Sequence, residues 1–334
     1  MQVAVLLAVA VGATLVVYAG STRLERASDR LAAYYGLPGV VQGAVIAAVG
    51  SSMPELASTV LATLLHGEFE LGVAAIVGSA VFNVLAIPAL ATLLSTGGLG
   101  TDRDIVYKEA QFYMLAVAAL TLVFALAVIY NPVERVDLTG TVTRPYALAP
   151  VALYGLYVFI QQQDTAELGS DGDASVNAGR QWLVLLGALV LIVVGVEGLV
   201  RAAIGLGDAF GTPAFLWGVT VVAAGTSLPD AFVSVVAARS GHDSVSLANV
   251  LGSNVFDLLV AVPAGILVAG ATTVNFARVT PLMAFLVVAT VGLFAAMRTE
   301  LELTRLEAGA MLGLYVVFVA WMFTEVFGVT TLLQ

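Results

Sequence analysis

The sequence predicts an all-α integral membrane protein whose ten transmembrane helices form two inverted five-helix repeats. Three observations carry this expectation. Apolar residues make up 60% of the 334 and charged ones 11%, with a mean hydropathy of +1.00, far from the balance of a soluble domain. Ten apolar segments, centred near residues 11, 51, 83, 120, 154, 192, 226, 257, 287 and 318, are each long enough for the roughly 20 residues a spanning helix requires. Many are apolar on every side, whereas barrel strands would alternate over about 10 residues. Finally, one pair of motifs occurs twice, with an odd number of spans between the copies, so the second copy enters the membrane from the opposite side.

The first segment has no basic residue before it, and Arg23, Arg26 and Arg30 follow it. A cleaved signal peptide carries its charge first, so an uncleaved span is expected. Loops on the side of these arginines also hold Arg103, Lys108, Arg180, Arg239, Arg298 and Arg305, against Arg135, Arg144, Arg201 and Arg278 on the other. The bias predicts both termini outside a cell membrane. The second segment carries "GLPGVVQGAVIAAVGSSMPELAST" at 36–59, and the third "IVGSAVFNVL" at 76–85. The fourth and fifth are apolar without a motif.

An acidic linker at 163–180, containing "DTAELGSDGD", divides a first half, 1–162, from a second, 181–334. Its Asp171 and Asp173 lack the later ligands of a calcium-binding loop, and the linker is too short for a regulatory domain. The sixth segment bears Glu197 and Arg201, spaced for an interfacial i,i+4 contact. The seventh repeats the first motif as "GTPAFLWGVTVVAAGTSLPDAFVS" at 211–234, and the eighth the other as "VLGSNVFDLL" at 250–259. The motif regions thus run from about 38 to 90 and from about 213 to 263; the last two segments are apolar.

The formal charge of -10 argues against nucleic acid and leaves the lipid bilayer as the surrounding partner. The absence of cysteine excludes disulfides and thiolate metal sites.

Chemistry concentrates in the repeated motifs. Pro54 and Pro229 cannot donate a backbone hydrogen bond, and Gly50 and Gly225 loosen the preceding turn, so carbonyls around Ala47, Ala48 and Val49, and around Ala223 and Ala224, are expected to lose helical partners. A proline kink used only for packing would not explain the acids. Glu55, Asp230 and Asp257 each fall near mid-span, where an ionisable residue costs about 2.5 to 3.5 kcal/mol, and no mid-span basic residue can pair with them. Carboxylates without basic partners require cations. Ser51, Ser52, Ser79, Asn83, Thr226, Ser227 and Ser253 supply further oxygens, with Asn249 and Asn254 as packing or hydrogen-bonding groups. An all-oxygen set suits a hard ion such as Ca2+. His66 and His242 lie near span ends as interfacial residues, which disfavours a transition metal.

"GSSMPE" with "GSAVFN", repeated as "GTSLPD" with "GSNVFD", resembles the two α-repeats of the sodium/calcium exchanger family. The resemblance implies antiport rather than enzymatic activity: Na+ and Ca2+ share a central site by alternating access, with no cofactor beyond the transported ions. By position it implies that Glu55 and Asp230 are the main Ca2+ ligands, assisted by the carbonyls of Ala48 and Ala223 and by Ser51 and Thr226. Ser52, Ser79, Ser227 and Ser253 would flank them at Na+ positions, Asn83 and Asp257 would complete the centre, and the first and sixth helices would slide as a gate. Ser51 replaces a usual threonine, and Ala75 and Ala80 stand where the second half has Asn249 and Asn254. An acid at Asp257 is a feature of potassium-dependent members, so K+ or a proton is an open companion of Ca2+.

Three other readings compete. A proton-coupled Ca2+ exchanger usually places its glutamates differently. An intramembrane aspartyl protease would use the "GLGD" at 205–208, but the second catalytic acid is missing. A passive channel would hold a divalent ion too long for fast flow.

Overall fold

A computed structural model describes residues 2–36, 48–95, 97–103, 105–136, 138–163 and 176–333. Pro38, Gly43 and Ala47 of the first motif, and Asp171 and Asp173 of the linker, lie outside the described residues, as do the side chains of Ala48 and Val49.

The chain is nearly all helical: α1 (Gln2–Tyr34), α2 (Ala48–Ser51), α3 (Met53–His66), α4 (Phe69–Leu94), α5 (Ala110–Tyr130), α6 (Arg144–Gln163), α7 (Ala178–Phe210), α8 (Ala214–Trp217), α9 (Ala223–Arg239), α10 (Asp243–Phe256), α11 (Val262–Ala269), α12 (Phe276–Arg298) and α13 (Arg305–Val326). Wider π-helical turns at Ile105–Glu109, Gly218–Val222 and Asp257–Ala261 lead into α5, join α8 to α9 and join α10 to α11. Among the described residues, eight continuous helices are long and apolar enough to cross a membrane: α1, α4, α7, α12, α13, and the composites Ile105–Tyr130, Ala214–Arg239 and Asp243–Ala269. The protein is a multi-pass membrane protein.

Burial orders these helices. In α4 and in Asp243–Ala269, 89% and 83% of the most apolar window is covered by protein, against 17% in α1 and 22% in α13. These two helices, which carry "GSAVFN" and "GSNVFD", therefore form the centre, while Val11, Leu15, Leu183 and Val316 on outer helices stay exposed, as a lipid solvent allows. Small residues set the closest crossings, because association in lipid depends on backbone approach. α1 and α7 lie side by side. A Cβ on Gly20 would sit 3.1 Å from the Ala188 carbonyl, and one on Gly195 would sit 3.0 Å from the Ala13 carbonyl. α4 crosses the π turn at Gly218–Val222 still more tightly. A Cβ on Gly78 would fall 2.3 Å from the Val219 carbonyl, and one on Gly218 would fall 2.6 Å from that of Leu71.

Two antiparallel ribbons depart from the all-helical expectation. β1 (Leu99–Gly100) pairs with β4 (Glu302–Leu303), and β2 (Thr139–Thr143) pairs with β3 (Ala271–Asn275). Each satisfies backbone groups of loops that leave helices far apart in sequence. Thr139–Thr143 is rich in β-branched residues, a local signal that the search for apolar spans passed over.

The two helix breaks differ. In the first motif the helix stops at Ser51 and restarts at Met53, with Ser52 at φ -88°, ψ 7° and Pro54 in the first turn of α3. In the second, the helix continues from Ala214 through Pro229 to Arg239. This corrects the expectation that both copies break alike. The π turn absorbs the strain, and the Thr226 hydroxyl lies 3.2 Å from the Val222 carbonyl and 3.3 Å from that of Ala223. The Ala223 carbonyl is therefore partnered by a hydroxyl.

Candidate cation site at the bundle centre

The broken helix α2–α3, the kinked helix α9 and the two central helices meet around the acids. Glu55 lies in the first turn of α3, Asp230 follows Pro229 in α9, Asn83 and Ser79 come from α4, and Ser253, Asn254 and Asp257 come from α10 and its π turn. Glu55, Asp230, Asp257, Asn83, Ser51, Ser52, Ser79, Thr226, Ser227 and Ser253 are each at most 2% exposed. Ala223 is the first residue of α9 and Ala48 the first of α2.

Hydrogen bonds tie these residues across the chain. The Ser51 and Ser253 hydroxyls are 2.9 Å apart, and the Ser52 hydroxyl lies 3.5 Å from the Ser253 carbonyl. Ser227 donates to Ser79 at 2.6 Å, and Ser79 points at Glu55 Oε1 from 3.5 Å. Thr226 and Ser79 face the Glu55 carboxylate, while Ser51, Asn83 and Ser253 face that of Asp230. Each acid is thus dressed by hydroxyls from both halves of the chain.

Asn83 donates to Asp230 Oδ2 at 3.3 Å and to Asn254 Oδ1 at 3.0 Å, and Asn254 donates to the Ala80 carbonyl at 3.4 Å. The amide missing at Ala80 is therefore answered by its counterpart reaching across, which gives Asn254 the hydrogen-bonding role expected of it. Asn249 bonds to Ser234 at 3.4 Å.

What remains unsatisfied defines the chemistry. Glu55 Oε2, Asp230 Oδ1, Asn83 Oδ1 and both Asp257 oxygens are buried without a hydrogen-bond partner. All five are acceptors, and leaving one buried and unpaired costs about 1 to 3 kcal/mol, more if it is charged. Among the described residues no ion pair reaches these acids; ion pairs there link Glu197 to His66 and Arg201, and Glu70 to Arg278. A desolvated cation can satisfy such a set. Among the described residues no three His, Cys, Asp or Glu side chains gather closely enough to hold one metal ion. An ion here would draw on carboxylates together with hydroxyl, amide and backbone oxygens, as hard cations do.

The remaining assignments separate cleanly. Arg201 bonds Glu197 at 2.6 Å, the expected i,i+4 contact, and His66 joins the same carboxylate at 3.1 Å. His242 is exposed, and Asp208 of the GLGD sequence is exposed near the end of α7, so that sequence builds no catalytic pair. One residue escaped the sequence reading: Glu25 of α1 has a buried Oε1 without a partner and numbers Asp230 among its charged neighbours. Its setting in "RLERASDR" reads as an ordinary interfacial charge run, and only the packing of α1 against α2 reveals it.

The sequence profile described as sodium/calcium exchanger protein matches residues 5–162 and 180–324. The inner membrane protein YrbG of Escherichia coli is 27% identical over 266 residues, covering 75% of each chain. The sodium/calcium exchanger MaX1 of Methanosarcina acetivorans is 26% identical over 270 residues, covering 72% of this chain and 76% of its own. A solved structure of the sodium-calcium exchanger NCX_Mj superposes with a TM-score of 0.65 at 24% identity, over 93% of this chain and 98% of that one. The fold is shared.

Proposed function

This chain belongs to the sodium/calcium exchanger protein family, and from that premise we propose that it is a secondary antiporter exchanging Na+ for Ca2+ by alternating access at the bundle centre. The observation that carries the reading is the convergence of the buried carboxylates of Glu55, Asp230 and Asp257 and the amide oxygen of Asn83, faced by neutral hydroxyls and amides and left with unsatisfied acceptor oxygens.

In this reading α2 with α3 makes one span and α6 another, and with the eight long helices they give ten, as two inverted halves, 1–162 and 181–334, joined by 163–180. The positions of Gly20 and Gly195 at corresponding points of α1 and α7 support that symmetry. Both termini face outside a cell membrane. Glu55 and Asp230 are the main Ca2+ ligands, with Ser51, Thr226 and the carbonyls of Ala48 and Ala223. Ser52, Ser79, Ser227 and Ser253 hold Na+, while Asn83 and Asp257 complete the centre. With every site side chain at most 2% exposed, an ion enters only if helices move. α1 and α7, paired through glycine crossings, are the gate that slides against the rest. Because one site serves both faces, reversing the Na+ gradient reverses Ca2+ movement.

Purified protein in liposomes tests this. An outward Na+ gradient is expected to drive Ca2+ uptake, and an inward one to drive release. Ca2+ movement that ignores Na+ and follows a pH gradient would select the proton-coupled alternative.

Asp257 sets a second expectation. Three carboxylates exceed the charge of one Ca2+, and at low effective dielectric the remainder is costly, so a third positive charge accompanies Ca2+ while three Na+ balance the alternate state. We favour a proton on Asp257 over K+, because Asn83 and Ala80 leave the first half poor in amide oxygens. Na+-driven Ca2+ flux is then indifferent to K+ at fixed pH, and Asp257→Asn, which imitates the protonated acid, stays active. Flux that rises with K+ in the wild type, and loses that dependence in Asp257→Asn, would assign the companion to K+.

A further inference from the structure

Glu25 lies in α1, nine residues before its end at Tyr34, about 14 Å along the helix axis from that end at 1.5 Å per residue. Its Cγ is 4.0 Å from where a Cβ on Gly50 would stand, so its stem rests on α2, one residue before Ser51 of the central site. Its Oε1 is buried without a partner, and its charged neighbours are Asp230 of the central site, Asp29 one turn on in α1, and the adjacent Arg26. Asp29, one helical turn on, is exposed and lines a cleft with Arg30 and Ala33 of α1 and Val176, Asn177, Arg180 and Gln181 of the linker end and α7. Glu25 thus has one acidic neighbour at that cleft, Asp29, and another at the central site, Asp230, which is 1% exposed with its Oδ1 buried and unpartnered.

The opposite half has no such residue. The 175-residue offset relating the two motif copies carries Gly20, Leu24, Arg26 and Ala27 onto Gly195, Leu199, Arg201 and Ala202, but it carries Glu25 onto Val200, which is fully buried. The acid nearest that position, Glu197, is already held by Arg201 and His66.

We propose that Glu25 is a staging site for the transported cation on one approach only, the one opening beside the end of α1. There its carboxylate receives the ion from the cleft and passes it, beside the gap that Gly50 leaves, to Asp230 and Ser51. A fixed negative charge in a low-dielectric passage concentrates cations and raises their entry rate by about tenfold or more. Only one face of the protein has this device. The inference rests on the exchange reading of the central site.

The test is Ca2+-for-Ca2+ exchange, followed with radioactive Ca2+ in sealed membrane vesicles of both orientations. Wild-type exchange in these vesicles tests the exchange reading itself, so its absence would refute that reading before any variant is compared. Given wild-type exchange, Glu25→Gln is expected to raise the half-saturating Ca2+ about tenfold on the face where α1 ends, leaving the other face and the maximal rate near wild type. Glu25→Asp, which keeps the charge, is expected to restore that value. Equal changes on both faces, no change on either, or an aspartate variant as impaired as the glutamine variant would each overturn the assignment.

Discussion

Glu55→Gln and Asp230→Asn are each expected to abolish Ca2+ exchange while leaving a folded protein in the membrane. Both carboxylates are buried, and each holds one oxygen toward no donor. Removing one partner of a buried charge interaction costs about 3 to 5 kcal/mol, which as lost ion affinity is about 100-fold or more. The folded state without ions gains, because a desolvated charge disappears. The two effects separate in one experiment. Each variant should melt at or above the wild-type temperature without Ca2+, and should lose the rise in melting temperature that Ca2+ gives the wild type by binding the native state. A variant that exchanges Ca2+ at near wild-type rate would remove that carboxylate from the site.

Gly78→Ala should produce the second large effect, on the fold itself. The added methyl would stand 2.3 Å from the Val219 carbonyl oxygen and 2.9 Å from Ala223 Cβ. The first is a backbone atom of a π turn, which cannot rotate away as a side chain end can. Overpacking of ordinary cores costs about 1 to 3 kcal/mol, and a clash with backbone should reach or exceed the upper figure. Displacing the turn also moves Ala223 and Thr226, so exchange should fall with stability. Gly218→Ala, 2.6 Å from the Leu71 carbonyl, should behave alike. Gly292→Ala in α12, with nothing within 4 Å, is the control and should leave melting temperature and exchange unchanged. Equal stability of Gly78→Ala and Gly292→Ala would contradict the close crossing of α4 and the π turn.

The glycines show where sequence reasoning reaches and where it stops. Hydropathy marks the spans because lipid rewards continuous apolar surface, and the eight long apolar helices among the described residues fall on eight of the ten expected segments. The repeat marks Glu55, Asp230 and their hydroxyl neighbours because an acid in a span has no bland explanation. The unequal breaks were hidden: "GSSMPE" and "GTSLPD" read alike, yet the first holds a gap at Ser52 and the second runs as a continuous helix after a π turn. Asn254 reaching to Ala80 is a contact between helices far apart in sequence, which a local pattern cannot register. Glu25 was invisible for the same reason, since its closeness to Gly50 and Asp230 joins helices far apart in sequence.

The central claim is that one buried site takes Ca2+ and Na+ in turn, and equilibrium binding of radioactive Ca2+ to the purified protein tests it most directly. The expected result is saturable binding that Na+ displaces competitively and that Glu55→Gln and Asp230→Asn each eliminate. Ca2+ binding that persists undiminished in both variants, or that no concentration of Na+ displaces, would contradict it.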